Sequence, residues 1–156
     1  MTTIIRTNSD NEDFISLVKL LDEDLRIRDG EEHSFFAQYN TIDTIQHVVV
    51  VYQDNLAIGC GALKAYEDDI VEIKRMFVLP NLRGNGIASQ ILSELENWAS
   101  ELSFRLCILE TGIKQPEAIR LYQKNDYQLI PNYGQYRNVK SSVCFEKKIK
   151  ANTRMS

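Results

Sequence analysis

Glycine, proline and cysteine are scarce in this 156-residue chain: seven, three and three residues respectively, beside one tryptophan and two histidines. With so little glycine and proline, and no internal repeat or low-complexity tract, the chain is neither collagen-like nor a linker. The three cysteines, Cys60, Cys107 and Cys144, are odd in number, form no C-x-x-C pair and sit each within an apolar run. They read as reduced core residues rather than as a disulfide framework or a redox pair. His33 and His47 have no second ligand at metal spacing, so no metal site is expected. Cationic excess is also lacking: Lys plus Arg number 18 against 22 for Asp plus Glu, a net charge of −4. A broad electrostatic grip on nucleic acid is thereby excluded, and small molecules or cationic groups are the expected partners. No stretch approaches the ~20 apolar residues of a membrane span, and "MTTIIRTNSDNED" has no cationic segment leading into an apolar run. The expectation is a cytoplasmic protein without a membrane partner.

What is present is an apolar fraction of 44%, enough for a real core at this length. A single domain over residues 1–150 is expected, with 151–156 as a polar tail. "TTIIRT" reads as a first strand. Phe14, Leu17, Val18, Leu21 and Leu25 then recur at spacings of three and four, one face of a helix from Ser9 to about Arg28 with Ser9 or Asp10 as cap. A second short helix is predicted over Glu31 to Tyr39. "HVVVVYQ", the turn "DN" and "LAIGCGALKAY" make a hairpin, and after Asp68 and Asp69 "IVEIKRMFVL" is a third long strand ended by Pro80. Ile87, Ile91, Leu92, Leu95, Trp98, Ala99 and Leu102 trace another helix. "RLCILET" is a buried strand, "QPEAIRLYQKN" a helix opened by Pro116, and "YQLIP" and "SVCFEKKI" are closing strands. A meander followed by crossover helices implies an α/β-type mixed sheet with about four helices.

The stretch "VLPNLRGNGIASQIL", residues 79–93, spends two of the seven glycines between a strand and a helix. Glycine there admits φ > 0 and close approach to main-chain N–H groups, and the helix's first N–H groups lie at the positive end of its dipole. That is an anion site. A nucleotide P-loop would need a lysine after the second glycine, and none is present. "GNGIAS" matches a dinucleotide fingerprint at its first two glycines only, with Ser89 at the third position and a meander rather than a parallel unit before it.

"RGNGIA", Arg83 to Ala88, resembles the [QR]-x-x-G-x-[GA] signature of the Gcn5-related N-acetyltransferase (GNAT) superfamily. The flanks are similar too: "EIKRMFVLP" to the family's fourth strand, "LCILET" to its fifth and "AIRLYQKNDY" to its tyrosine-bearing helix. Element order matches from Thr3 to about Ile149. The resemblance implies a sheet splayed between the fourth and fifth strands, with acetyl-CoA as co-substrate. Main-chain groups of Met76, Phe77 and Val78 would meet its pantetheine arm. N–H groups from Arg83, Gly84, Asn85, Gly86, Ile87, Ala88 and Ser89 would take its pyrophosphate, with Arg83 adding charge. Gln115 stands where members commonly carry an asparagine that bonds the pantetheine, and Asp126 replaces the glycine usual before the next strand's aromatic.

The implied reaction moves an acetyl group to a primary amine by direct attack. An alkyl ammonium of pKa about 10.4 must first lose a proton, so a base is needed. Strand alternation places Glu110 with Leu106 and Ile108 on an apolar face, where a carboxylate is costly without a role. It also stands twelve residues before Tyr122, the base-to-acid spacing of the ribosomal-protein N-terminal acetyltransferases in this superfamily. Glu72 matches the base position of histone-type members, and a water relayed by backbone carbonyls is a third reading. Tyr122 matches the tyrosine that returns a proton to the thiolate. The acidic run "DEDLRIRDGEE" and, opposite it, Tyr133, Tyr136 and Ser142 would wall the acceptor site. A small-molecule amine is the expected acceptor. Protein acetylation and a non-catalytic acyl-CoA sensor are the alternatives, and a homodimer is compatible with the sequence.

Overall fold

The computed structural model describes residues 2–29 and 45–150, the side chains of 28 and 29 excepted. The elements are β1 (Thr2–Thr7), α1 (Glu12–Asp29), β2 (His47–Gln53), β3 (Leu56–Glu67), β4 (Ile70–Val78), α2 (Ile87–Glu101), β5 (Leu106–Gly112), α3 (Pro116–Lys124), β6 (Gln128–Ile130) and β7 (Ser142–Lys148). Single 3-10 turns occupy Pro80–Leu82 and Gly134–Tyr136. The strands form a mixed seven-stranded sheet in the order β1-β2-β3-β4-β5-β7-β6. The α/β mixed sheet agrees with expectation, whereas the described residues hold three α-helices rather than four. The helix predicted over Glu31 to Tyr39 and the tail 151–156 lie outside the described residues. Among those residues, no helix is long and apolar enough to cross a membrane.

The chain divides into two compact units, residues 1–64 with 73–95, and residues 65–72 with 96–156. In the first, α1 starts later than its apolar spacing predicts, because the cap is Asn11 rather than Ser9 or Asp10. The Asn11 Oδ1 accepts the Phe14 N–H at 2.9 Å, and Glu12 and Asp13 in the first turn suit the positive end of the dipole. Ser9 instead ties the chain at Ile45, with its N–H donating to the Ile45 carbonyl (2.9 Å) and its Oγ accepting the Ile45 N–H (3.0 Å). Phe14, Leu17 and Val18 of α1 pack with Val48, Val50, Cys60, Ala62 and Phe77. Val49 and Val51 point to the other face by alternation, paired with Gly61 and Gly59. A Cβ on Gly61 would stand 2.8 Å from Ile91, Leu95 and Met76 side-chain atoms, so α2 lies directly on β3 there. With helices against both faces, β2 reads as an unbroken valine run. Asp54 and Asn55 take φ of 51° and 68°, the geometry of a two-residue hairpin turn.

In the second unit, β5 pairs antiparallel with β7 along its whole length, and β7 with β6. The parallel pairing of β4 with β5 covers three residue pairs, Ile70 with Leu106, Val71 with Cys107 and Glu72 with Ile108. Leu109, Phe145, Tyr122, Tyr127 and Tyr136 are buried around this sheet. Tyr127 anchors it through polar groups as well: its hydroxyl donates to the Glu96 carboxylate (2.8 Å), which also accepts from Lys147 (2.9 Å).

Candidate functional site

The glycine stretch lies wholly in the first unit. β4 carries a left-handed residue, Arg75 at φ 61°, so strict strand alternation, which would set Glu72 on one face with Met76 and Val78, is interrupted between them. Beyond that irregularity the Leu79 N–H donates to the Ile58 carbonyl of β3 at 2.9 Å. The Val78 N–H and carbonyl therefore face the opposite edge, away from β3. Pro80–Leu82 then turns the chain, and Gly84 and Gly86 follow at φ +85° and +80°. A Cβ built on either glycine would meet nothing within 4 Å. Both positions favour glycine for their left-handed backbone, and both border open space. Asn85, expected to contribute main chain only, also closes the turn through its side-chain amide, which donates to the Leu82 carbonyl (3.0 Å).

Gln90 donates to the Gly86 carbonyl (3.1 Å) and closes the first turn of α2. The N–H groups ahead of it, from Gly86 through Ala88, have no carbonyl one turn behind them within the helix. Ile87 is buried, which fixes the first turn against the core. Open backbone N–H groups at the positive end of a fifteen-residue helix fit a pyrophosphate.

Arg83 does not stand free beside this turn. Its Nε–H donates to the Val78 carbonyl at 2.8 Å, its Nη2 lies 3.6 Å from Asp24 of α1, and its guanidinium carbon sits 5.4 Å from the Phe77 ring centroid. Asp22 likewise faces Arg75 at 3.4 Å, and Glu23 pairs with Arg26. The described carboxylates of the acidic run are thus engaged with arginines of their own unit; Glu23 and Arg26 are an i,i+3 pair within α1, whereas the partners of Asp22 and Asp24 lie far along the chain.

The second unit gathers the predicted acid–base residues. Glu110 on β5 is half-buried and accepts a hydrogen bond from the Ser142 hydroxyl of β7 (2.7 Å). Tyr122 on α3 is 6% exposed, its ring set edge-on to Tyr127 and tilted against Phe145. Burial first, and then the charge of Glu110, push the Tyr122 phenol above its ordinary value. Glu110 and Tyr122 are therefore brought within each other's electrostatic reach, although they lie on different elements.

Glu72, also 6% exposed, accepts from the Tyr133 hydroxyl at 2.6 Å. Tyr133 stacks edge-on with Tyr66 and Tyr136, and burial followed by the charges of Glu110 and Glu72 raises the Tyr136 phenol. Gln115 precedes α3 without capping it through its side chain, and its N–H donates to the Gly112 carbonyl (3.0 Å). Asp126 takes φ 72°, so the left-handed turn survives the loss of glycine, and the Tyr127 N–H closes it on the Tyr122 carbonyl (3.0 Å).

All three cysteines are free and buried. Burial pushes the thiols of Cys60 and Cys107 up to about 12 and that of Cys144 to about 11. The raised values favour the protonated thiol at neutral pH, in keeping with three core cysteines. Sequence reading overlooked Tyr66 and Asn132. The latter's side-chain nitrogen lies within 3.2 Å of the Tyr136, Val139 and Ser142 carbonyls and holds the segment carrying Tyr136 and Ser142.

Known proteins resemble this chain in sequence and in fold. An IAA acetyltransferase of Azospirillum brasilense is 33% identical over 100 residues, covering 64% of this chain and 65% of that protein. An aminoalkylphosphonate N-acetyltransferase of Salmonella typhimurium is 30% identical over 94 residues, 57% of this chain and 61% of that protein. The chain thus spans less than two thirds of either relative. Among solved structures, a Klebsiella pneumoniae chain assigned as an acyl-CoA N-acyltransferase superposes with a TM-score of 0.78 at 29% identity, covering 96% of this chain and 98% of the other. The PaiA N-acetyltransferase of Thermoplasma acidophilum, solved with coenzyme A, has the same fold, with a TM-score of 0.70 at 18% identity, covering 95% and 99%. The profile described as the acetyltransferase (GNAT) family matches residues 14–127. That match, over most of the chain, identifies it as a member of the GNAT acetyltransferase family.

Proposed function

We propose that the protein transfers the acetyl group of acetyl-CoA to the primary amine of a small molecule by direct attack. The observation that carries this reading is the turn at Gly84 and Gly86, with positive φ at both glycines and open space where a side chain would stand. Residues 84–89 would hold the pyrophosphate through main-chain N–H groups, the Arg83 N–H being bonded to the Pro80 carbonyl (3.4 Å), and Met76, Phe77, Val78 and Gln115 the pantetheine arm. Acetyl-CoA supplies an activated thioester. The Salmonella relative's name includes a small amine, which supports a small acceptor here.

The chain's own residues then handle protons and charge. Glu110, oriented by Ser142, takes the proton that the ammonium must lose, directly or through a water. The Val78 N–H, facing away from β3, stabilises negative charge developing on the acetyl oxygen. Tyr122 donates its proton to the departing sulfur and regains one from the attacking nitrogen. One proton is released overall for each amide formed. Glu72, which likewise accepts one hydroxyl (Tyr133, 2.6 Å) but is more deeply buried than the half-buried Glu110, is the alternative base.

Thiol release from acetyl-CoA, followed across a panel of polyamines, amino acids, aminoglycosides and lysine or N-terminal peptides, tests the proposal. Release driven by a small amine is the expected result. Release with peptides alone would make the protein a protein acetyltransferase, and tight coenzyme A binding without acceptor-dependent release would make it a sensor. Glu110→Gln should erase the acidic limb of the pH–rate profile while Glu72→Gln keeps it; the reverse would exchange their roles.

A further inference from the structure

Arg83 carries a positive charge next to a turn read as an anion site, and the simplest role for it is to contact the anion. Its geometry points elsewhere. The Nε–H is committed to the Val78 carbonyl (2.8 Å), the Nη2 lies 3.6 Å from Asp24, and the guanidinium carbon sits 5.4 Å from the Phe77 ring centroid. Its main-chain N–H also turns inward, to the Pro80 carbonyl (3.4 Å). One side chain therefore spans the carboxyl end of β4, the turn and α1, and closes residues 78–83 into a loop.

We propose that Arg83 is a positioning residue that sets the glycine turn on the end of β4, and that its charge is balanced by Asp24 instead of acting on a ligand. Two consequences follow from the bonds already made. The Val78 carbonyl is occupied by Arg83 and the Leu79 N–H by Ile58, so the main-chain group that Val78 presents on the outward edge is its N–H, a donor. The direction of that N–H and of the N–H groups opening α2 is set by the same loop. The inference rests on the acetyl-CoA reading only for what those donors hold; the clasp itself belongs to the protein alone.

The chemistry of side chains separates the two roles. Arginine Nε and glutamine Nε2 are each bonded to Cδ, so glutamine offers an N–H donor at the same distance along the chain without the charge. Lysine keeps the charge as a mobile point on a longer stem and lacks a donor at that position. Positioning predicts that Arg83→Gln preserves function better than Arg83→Lys; a charge acting on the pyrophosphate predicts the opposite.

Coenzyme A binding by titration calorimetry, and hydrogen exchange of the 79–86 amides in the ligand-free protein, should be measured for wild type, Arg83→Gln, Arg83→Lys and Arg83→Met. The expected result is Arg83→Gln within about threefold of wild-type affinity with near-native protection, and about tenfold or greater loss with faster exchange in Arg83→Lys and Arg83→Met. Any other ranking overturns the proposal, whether Lys matches or exceeds Gln or Gln falls to the level of Met. Should wild type fail to bind coenzyme A, the functional reading falls, and the exchange ranking still decides the role of Arg83.

Discussion

Tyr122 illustrates how a single side chain is prepared by what surrounds it. A phenol titrates near 10 in water, and burial on α3, reinforced by the Glu110 charge, raises this one. The protonated donor form therefore persists across neutral pH and beyond pH 10. The rate at saturating acetyl-CoA should show no alkaline limb from Tyr122 below that pH, since a raised pKa moves loss of the acid upward. Tyr122→Phe should lower kcat by about 10²-fold or more with little change in acetyl-CoA binding; an unaltered kcat would remove Tyr122 from the chemistry. Periodicity alone makes Tyr122 one more aromatic on an amphipathic helix; the family resemblance pairs it with Glu110 by spacing, and the folding of β5 and α3 brings the two within electrostatic reach.

Among the elements, α2 is specified at both ends of its function, as a packed helix and as the mouth of a site. Gly86→Ala places a Cβ where nothing lies within 4 Å, so its cost is the left-handed backbone, about 1–2 kcal/mol. The turn can relieve that strain by rotating, which redirects the N–H groups, and the Michaelis constant for acetyl-CoA should rise. Gly61→Ala differs in kind. Its Cβ would stand 2.8 Å from Ile91, Leu95 and Met76 atoms, and overpacking of about 1–3 kcal/mol should appear as a lower melting temperature. Kinetics and thermal melts of the two variants separate a site glycine from a packing glycine. At the start of α1, Asn11→Ala removes the cap on Phe14 and should cost about 1 kcal/mol, read as a fall of a few degrees in Tm. The apolar spacing showed that α1 exists but not where it begins, because Ser9, Asp10 and Asn11 are all competent caps. Long-range bonds between Ser9 and Ile45 withdraw the first of them.

Over the whole molecule, the cysteines report on integrity. Their thiols are held near 11 to 12 by burial, against about 8.5 in an unfolded chain. A thiol reagent at pH 8 should find none of the three in the native protein and all of them in guanidinium; fast native labelling would contradict their burial. The same shift sets a sign for stability. Above about pH 8.5 the unfolded chain releases thiol protons that the folded chain keeps, so it binds fewer protons and stability falls as pH rises. Chemical unfolding at pH 7 and pH 10 should show the lower midpoint at pH 10.

Local order was legible from the sequence by itself. Apolar periods of two and of three to four residues marked the described strands and helices, and Gly, Pro and Asx residues marked the turns, because backbone geometry depends on neighbours along the chain. The glycine turn was equally legible, since positive φ at residues 84 and 86 is a demand that few residues other than glycine meet. Tertiary structure decided the partners: Ser142 on Glu110, Tyr133 on Glu72, and Asp24, Phe77 and Val78 around Arg83. Most of these pairs lie tens of residues apart, and even the near ones depend on how β4 and its turn fold back. What a charge or hydroxyl does depends on which group lies within about 3 Å of it, and that distance is set by packing.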